Sequence, residues 1–366
     1  MTRSVLLVTP DFPPDVGGIQ HLLERLVGHA RRVRFEVVTL ASPGAAEWDR
    51  AQAFAVRRVP AAWKRQGSIA RLNLAALDHA RRTRPDVVLA GHIVTAPAAI
   101  AIARTLGIPY AVYLYALEVR ERARLAGMAT RHAAAVIAIS RYTASLAREV
   151  GAPQERLHVI PPGVDLLPSP KGPRGGEPPR VLTVARLQDR YKGHDVMVRA
   201  LPLIRARVPQ AEWVVIGDGR LRAEIERLAA ANGASPAVRL CGSVPDAERD
   251  GWYERSHVFA MPSRLPPGSA GEGFGIVYLE AAVRGVPSVA GNVGGALDAI
   301  RDGETGLLVD PSSHVAVADA VAGLLEDPER CARLGEAATR HASAFAWPRI
   351  AERVEEVLLD VAAGRR

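Results

Sequence analysis

Short runs of Val, Ile, Leu and Ala alternate along this chain with longer segments whose apolar residues recur at helical spacing. This alternation narrows the possible folds more than any other feature. "SVLLVTP" (4–10) ends in a Pro/Asp/Gly loop, and "IQHLLERLVGHARR" (19–32) then repeats at helical period. "FEVVTLA" (35–41), "DVVLAG" (86–91), "YAVYLY" (110–115), "AVIAIS" (135–140) and "LHVIPPG" (157–163) continue the strand series. Strands separated by helices imply βαβ units, a parallel sheet and right-handed crossovers. The pattern stops at "LPSPKGPRGGEPP" (167–179), where five prolines and three glycines fall among thirteen residues, a linker composition. It restarts with "RVLTVAR" (180–186), a helix around 195–207, "AEWVVIGDG" (211–219), a helix at 220–232, "VRLCG" (238–242), "HVFAMPS" (257–263), "PSVAG" (287–291) and "GLLVD" (306–310). A length of 366 residues exceeds one ordinary core, so two α/β domains are expected: 1–166, then the linker, then 180–346. The amphipathic end of the chain from Trp347 ("IAERVEEVLL") either closes the second domain or returns to the first. Open parallel sheets bind ligands at the carboxyl ends of their strands, and two facing domains of this kind form a cleft.

Several function classes fall away. Cys241 and Cys331 are the only cysteines, too few for a disulfide framework or a metal cluster, and the histidines lack metal-ligand spacing. No G-x-S-x-G elbow and no G-x4-G-K-S/T loop occurs. The start, "MTRSVLLVTPDFPP", holds an apolar run too short for a signal peptide, so a cytoplasmic protein is expected. The longest apolar stretch, 87–103, is broken by Gly91, His92 and Pro97 and reads as strand, loop and helix start. Charge is uneven: residues 1–165 hold 22 basic against 13 acidic side chains, a surplus of +9, whereas the remainder is near balance. The basic residues are scattered without interleaved aromatics, which excludes a nucleic-acid partner. "VRRVPAAWKRQGSIARL" (56–72) is their densest patch, suited to resting on anionic lipid with Trp63 at the interface; a solvated basic face is the plainer alternative.

The residues able to do chemistry follow the strands. Arg186 and Lys192, in "ARLQDRYKGHD", stand between a strand and a helix, where two cations and a helix N-terminus make a diphosphate clamp. "GEGFGIVYLE" (271–280) sets Glu272 in a loop and Glu280 within a helix expected to begin near Phe274 or Gly275. Gly273 and Gly275 allow close approach to the backbone, and the free amides of Phe274, Gly275, Ile276 and Val277 suit a sugar diphosphate. Neither acid is expected to face a cation of its own chain. Gly17 and Gly18 permit a mobile loop over a phosphate, and "IGDGRL" (216–221) is a strand-to-helix turn rather than a dinucleotide fingerprint.

Arg186, Lys192 and the E-x7-E pair Glu272/Glu280, with "PDFPPDVGGIQ" (10–20), "VIPPGVD" (159–165), "VRLCGSVPD" (238–246), "MPSR" (261–264) and "DGETGLLVD" (302–310), resemble the family 4 retaining glycosyltransferases. The pattern spans nearly the whole chain and is similar to that of bacterial enzymes that mannosylate phosphatidylinositol mannosides. The resemblance implies the GT-B fold: two Rossmann-like parallel-sheet domains facing a central cleft, with the end of the chain (347–366) crossing back to the N-terminal, acceptor-binding domain. It implies that Arg186 and Lys192 neutralise the donor diphosphate, Glu272 binds sugar hydroxyls and Glu280 binds the ribose. It further implies that Gly17 and Gly18 close over the diphosphate, and that Cys241, Gly242 and Val244 flank the base. The donor is a nucleotide-diphosphate sugar, and no cofactor or metal is required. The acceptor is either lipid-linked or a soluble metabolite, with a peripheral seat at the inner membrane face left open. On the acceptor and sugar side the residues are His92, Tyr115 and Glu118. The family phrase H-G-x-E stands here as "YALE", so Tyr115 and Ala116 replace His and Gly, and Arg186 and Lys192 are six apart where many relatives use five. A nucleotide-sugar-binding protein without transfer and a sugar-nucleotide epimerase remain open alternatives.

Overall fold

The computed structural model describes residues 2–168 and 178–364. Residues 169–177 of the expected linker therefore lie outside the described residues. The chain divides into two compact units, residues 1–163 with 347–366, and residues 164–346.

The first unit holds a seven-stranded sheet built from β1 (Arg3–Val8), β2 (Val33–Leu40), β3 (Ala55–Val59), β4 (Val87–Ala90), β5 (Tyr110–Leu114), β6 (Ala135–Ala138) and β7 (Leu157–Val159). Their order is β3-β2-β1-β4-β5-β6-β7, and every pairing is parallel. The second unit holds β8 (Arg180–Val184), β9 (Glu212–Ile216), β10 (Val238–Gly242), β11 (Val258–Met261), β12 (Ser288–Gly291) and β13 (Gly306–Val309), ordered β10-β9-β8-β11-β12-β13 and again all parallel. Both are doubly wound α/β sheets, in which helices cover both faces. That is why the central strands read as unbroken apolar runs: β4, β5 and β6 are buried at every position.

β3 escapes the sequence pattern because it is an edge strand carrying Arg57 and Arg58. These arginines are spent inside the unit. Arg58 pairs with Asp49 at 2.7 Å and also donates to Leu40 O, and Arg57 pairs with Asp78 at 3.3 Å. The basic patch expected over 56–72 is thus smaller than its sequence suggests.

The helix Trp347–Ala362 packs against the helix Gly18–His29 and against β1, β4, β5 and β6. Ile350, Ala351, Val354, Leu358 and Val361 form its buried face. Glu355 is buried on the same helix, where its Oε1 accepts the backbone N–H groups of Arg31, Arg32 and Val33. A buried carboxylate is tolerable only with such donors. Among the described residues no helix is long and apolar enough to cross a membrane.

In each sheet the winding direction reverses once, between β1 and β4 and between β8 and β11. The loops at the carboxyl ends of those strands diverge there, and that divergence opens a crevice for ligand.

Candidate active site

In the second unit the loop after β8 and the loop after β11 are bound to each other across the reversal point. The Arg264 N–H donates to Tyr191 O at 2.8 Å, and the Arg264 guanidinium pairs with Asp195 at 2.7 Å. Arg190–Lys192 forms a single 3₁₀ turn closed by Gly193, where a Cβ would stand 2.3 Å from Pro262 O. Only glycine lets the turn lie so close to the end of β11.

This contact brings two of the sequence-marked residues together. The Lys192 ammonium forms an ion pair with Glu272, and the two side chains are only 16% and 13% exposed. The expectation that Glu272 faces no cation of its own chain is therefore wrong. An ammonium held this deep needs a counter-charge, and the register of β8 beside β11 delivers one. Burial works against the Lys192 charge, but Glu272 and then the Tyr191 hydroxyl outweigh it, holding the ammonium above the usual lysine range. Tyr191 also places its ring 5.0 Å below Nζ. Arg186 is different: it is exposed at the end of β8 and makes no hydrogen bond or ion pair among the described residues. One cation is thus stored against an acid and the other is free to meet an anion.

The helix bearing Glu280 spans Ile276–Ala282, one or two residues later than the spacing suggests, because Gly275 takes φ +86° and breaks the helix before it. Phe274 turns its ring into the core against Phe345, with centroids 5.9 Å apart. The amides of Phe274, Gly275, Ile276 and Val277 meet no acceptor among the described residues. Glu272 is fixed through its backbone as well, since the Gly295 N–H donates to its carbonyl at 3.0 Å. Glu280 is half-buried, and its Oε2 accepts from the Tyr253 hydroxyl at 2.8 Å. Tyr253 and Tyr191 are contributors that no motif announces.

Cys241 and Gly242 close β10, and Val244 lies just beyond it. Cys241 and Val244 are both half-buried. Burial raises the Cys241 thiol above its usual range despite the opposing pull of Arg239. The Gly217 N–H donates to Gly242 O at 2.8 Å, fastening this end of β10 to β9.

In the first unit the marked residues follow β1, β4 and β5. Gly17 precedes the helix Gly18–His29, and a Cβ at Gly18 would meet nothing within 4 Å. The fold itself does not demand glycine at 18. His92 lies just past β4, where its Nδ1 accepts the Val94 N–H at 3.2 Å. Burial pushes its imidazole down to about 4, with Arg122 and Arg65 adding to the effect. Tyr115 is buried just past β5. Its ring stacks on Tyr113 at 5.5 Å, its hydroxyl donates to Gly91 O at 2.9 Å, and it stands 6.4 Å from the His92 ring. Glu118 accepts the Tyr115 N–H at 2.7 Å, and burial raises its carboxyl to about 7 against that hydrogen bond, with Asp11 adding to the rise. Burial likewise raises Asp11, against Arg65.

Between Tyr115 and Glu118 the backbone is strained. Ala116 sits at φ +90°, ψ −62°. That region is costly for any residue with a Cβ, and it falls at the position where the H-G-x-E phrase has glycine.

Two doubly wound parallel domains, the second presenting cations, free amides and an E-x7-E pair at its reversal point, define a glycosyltransferase of the GT-B fold. Such an enzyme transfers a sugar from a nucleotide-sugar donor to an acceptor. Residues 16–166 match the Glycosyltransferase Family 4 model and residues 169–341 match Glycosyl transferases group 1. The GDP-mannose-dependent alpha-(1-6)-phosphatidylinositol monomannoside mannosyltransferase of Mycobacterium tuberculosis is 36% identical over 381 residues, covering 97% of each chain. Two solved structures share the fold at 20% identity. Sucrose-phosphate synthase from Thermosynechococcus elongatus has a TM-score of 0.84 over 99% of this chain and 100% of that one. Anabaena HepE in complex with UDP and glucose has a TM-score of 0.81 over 98% and 100%. The chain belongs to the family 4 glycosyltransferases.

Proposed function

We propose that this glycosyltransferase takes mannose from GDP-mannose and transfers it, with retention at the anomeric carbon and without a metal ion, to an inositol-mannoside lipid. The donor and acceptor rest on the full-length relative named above. The mechanism rests chiefly on one observation: four amides without acceptors, Phe274 to Val277, in the same unit as the unpaired Arg186 and the stored Lys192. As the glycosidic bond to phosphate breaks, negative charge grows on the diphosphate. Cations and amides that are in place once the donor is bound stabilise that charge during the reaction. The acceptor oxygen then bonds to the anomeric carbon on the face the phosphate has left, and the departing phosphate oxygen takes the acceptor's proton, so no protein base is needed. Donor binding exchanges partners: Lys192 turns from Glu272 to the diphosphate, and Glu272 is released to the sugar hydroxyls. Glu280 takes the ribose, Gly17 and Gly18 close over the phosphates, and Cys241, Gly242 and Val244 flank the base. His92, Tyr115 and Glu118 lie on the acceptor and sugar side.

A lipid acceptor suits the first unit's surface. Trp63 is 99% exposed between β3 and the helix Arg65–Thr83, Val16 is 96% exposed beyond β1, and Lys64, Arg65 and Arg71 lie exposed near Trp63. An aromatic tip among cations favours a peripheral seat on anionic lipid.

Purified enzyme with GDP-mannose, a phosphatidylinositol mannoside and excess EDTA should give an α-linked product by NMR. Panels of UDP, ADP and dTDP sugars and of soluble acceptors should give far less. A β-linked product, loss of turnover in EDTA, or a better soluble acceptor would overturn the corresponding part. Isomerised donor without acceptor would point to an epimerase, and tight donor binding without transfer to a binding protein.

A further inference from the structure

We infer that Tyr253 is a positioning residue for Glu280: its hydroxyl holds one carboxylate oxygen so that the other is presented, fixed in direction, to the vicinal diol of the donor's ribose. This rests on the proposed pairing of Glu280 with the ribose.

The geometry is that of a clamp. Tyr253 lies on the helix Asp246–Glu254 and is fully buried, at 0% exposure. Its ring is stacked on Phe259 of β11 at 5.9 Å with an interplanar angle of 26°, and the Arg284 guanidinium lies 5.1 Å from its centroid. Arg284 is held in turn, pairing with Asp250 at 2.7 Å and donating to Glu280 O at 3.0 Å. The phenol therefore has one place to go, and its proton points at Glu280 Oε2, 2.8 Å away. Burial first, and then the Glu280 charge, keep that phenol well above its usual range, so it stays a donor at any working pH. Glu280 Oε1 accepts nothing among the described residues, and the side chain is half-buried.

Without this anchor the half-buried carboxylate has a cation to turn to. Arg249, on the same helix as Tyr253, lies within reach of the Glu280 charge, although it already pairs with Asp246 at 2.8 Å and Asp250 at 3.2 Å. The Tyr253 hydroxyl keeps Glu280 from turning to it. A rigid acceptor can accept from both hydroxyls of a cis-diol, whereas a swinging one loses the entropy of being fixed on binding.

The test compares dissociation constants for GDP and 2′,3′-dideoxy-GDP by calorimetry in wild type, Tyr253→Phe and a variant with 3-fluorotyrosine at 253. Wild type should prefer GDP by about tenfold or more, as expected for hydrogen bonds to a charged group. Tyr253→Phe should bring the ratio close to unity by weakening GDP alone. Its donor KM should rise about tenfold, with kcat at saturating donor within about twofold. Equal weakening of both nucleotides, or an unchanged ratio, would show Tyr253 to be mere core and overturn the inference. A wild type that does not distinguish the two nucleotides would instead remove the Glu280–ribose pairing, and the inference with it. The fluorinated side chain keeps the hydroxyl and makes it a stronger donor, so its ratio should hold or rise. A fall would overturn the inference even if the phenylalanine variant did not fold.

Discussion

The two units present the same edge of the same kind of sheet, yet the edges are electrically unlike. Past β8 and β11 the second unit keeps its charges on: an exposed arginine, an ammonium held above its ordinary range, and two carboxylates. Past β1, β4 and β5 burial in the first unit works against charge. His92 is pushed down to about 4 and is neutral at pH 7, Glu118 is raised to about 7, and Tyr115 is an un-ionised phenol. Burial acts on both edges. What differs is pairing: Lys192 has Glu272 to offset its desolvation, whereas Glu118 has only the backbone N–H groups of Tyr115 and its own residue, against unfavourable Asp11 and Glu121. The same kind of sheet can thus carry a paired, charged edge or a desolvated one, according to where a counter-charge is placed.

The largest effect should come from breaking the charged edge. Lys192→Ala removes a stabilising cation and should lower kcat by ~10²–10³-fold or more, the scale of losing one preorganised oxyanion partner. It also strands Glu272, and breaking a buried pair costs about 3 kcal/mol. Lys192→Ala should therefore melt earlier, and adding Glu272→Gln should restore most of the melting temperature while leaving turnover lost. If the double variant regained activity, the pair would be a structural strut and Lys192 no part of the chemistry. Near-normal turnover of Lys192→Ala would sink the assignment outright.

The neutral edge should reveal itself by pH. Glu118 has a folded value of about 7 against an ordinary carboxyl near 4.5. A carboxyl raised on folding contributes stability that is fully present below the ordinary value and lost as pH climbs to the folded one. Between pH 4.5 and 7 the native state should lose about 3 kcal/mol through this group, then level off. His92 acts oppositely: lowered on folding, it loses stability as pH falls from about 6.5 to about 4. The two trends overlap in wild type, so the measurement is the difference from Glu118→Gln in urea unfolding across pH 4.5–8. Wild type should fall relative to the variant as pH rises through that window. A flat difference would mean that Glu118 is as solvated as a surface acid.

The charged edge was also the more legible of the two in sequence. It carries Arg186, Lys192, Glu272 and Glu280 in local phrases, and the apolar runs around them mark buried parallel strands. Only β3 lacked that mark, since an edge strand can afford Arg57 and Arg58. What local phrases could not carry were pairings across the fold. Lys192 meets Glu272 80 positions away, and Tyr253 meets Glu280 27 positions away, each made by strand order and helix packing. The neutral edge was harder still. The replacement of histidine by Tyr115 was visible, but its hydroxyl is taken by Gly91 O, so it cannot stand in for a free imidazole. The imidazole beside it is His92, which follows another strand, β4.

The smallest expected effect isolates the turn that both phrases share. Ala116 holds φ +90° with a Cβ, and the neighbouring groups enforce it: Glu118 accepts the Tyr115 N–H, and the Ala116 carbonyl accepts from Val119 at 3.1 Å. Strain of this kind costs on the order of 1–3 kcal/mol, and glycine relieves it at an entropic cost of about 0.5–1 kcal/mol. Ala116→Gly should therefore stabilise the protein by ~1 kcal/mol in urea unfolding, with turnover within about twofold. The sign is what matters, because glycine at an ordinary helix entry would destabilise instead. A stabilised variant with unchanged kinetics would mean that the neutral edge keeps its shape by enclosure, not by the identity of residue 116. A faster or slower variant would mean that the strain itself sets where Tyr115 and Glu118 stand, and so that this edge, like the charged one, is tuned residue by residue.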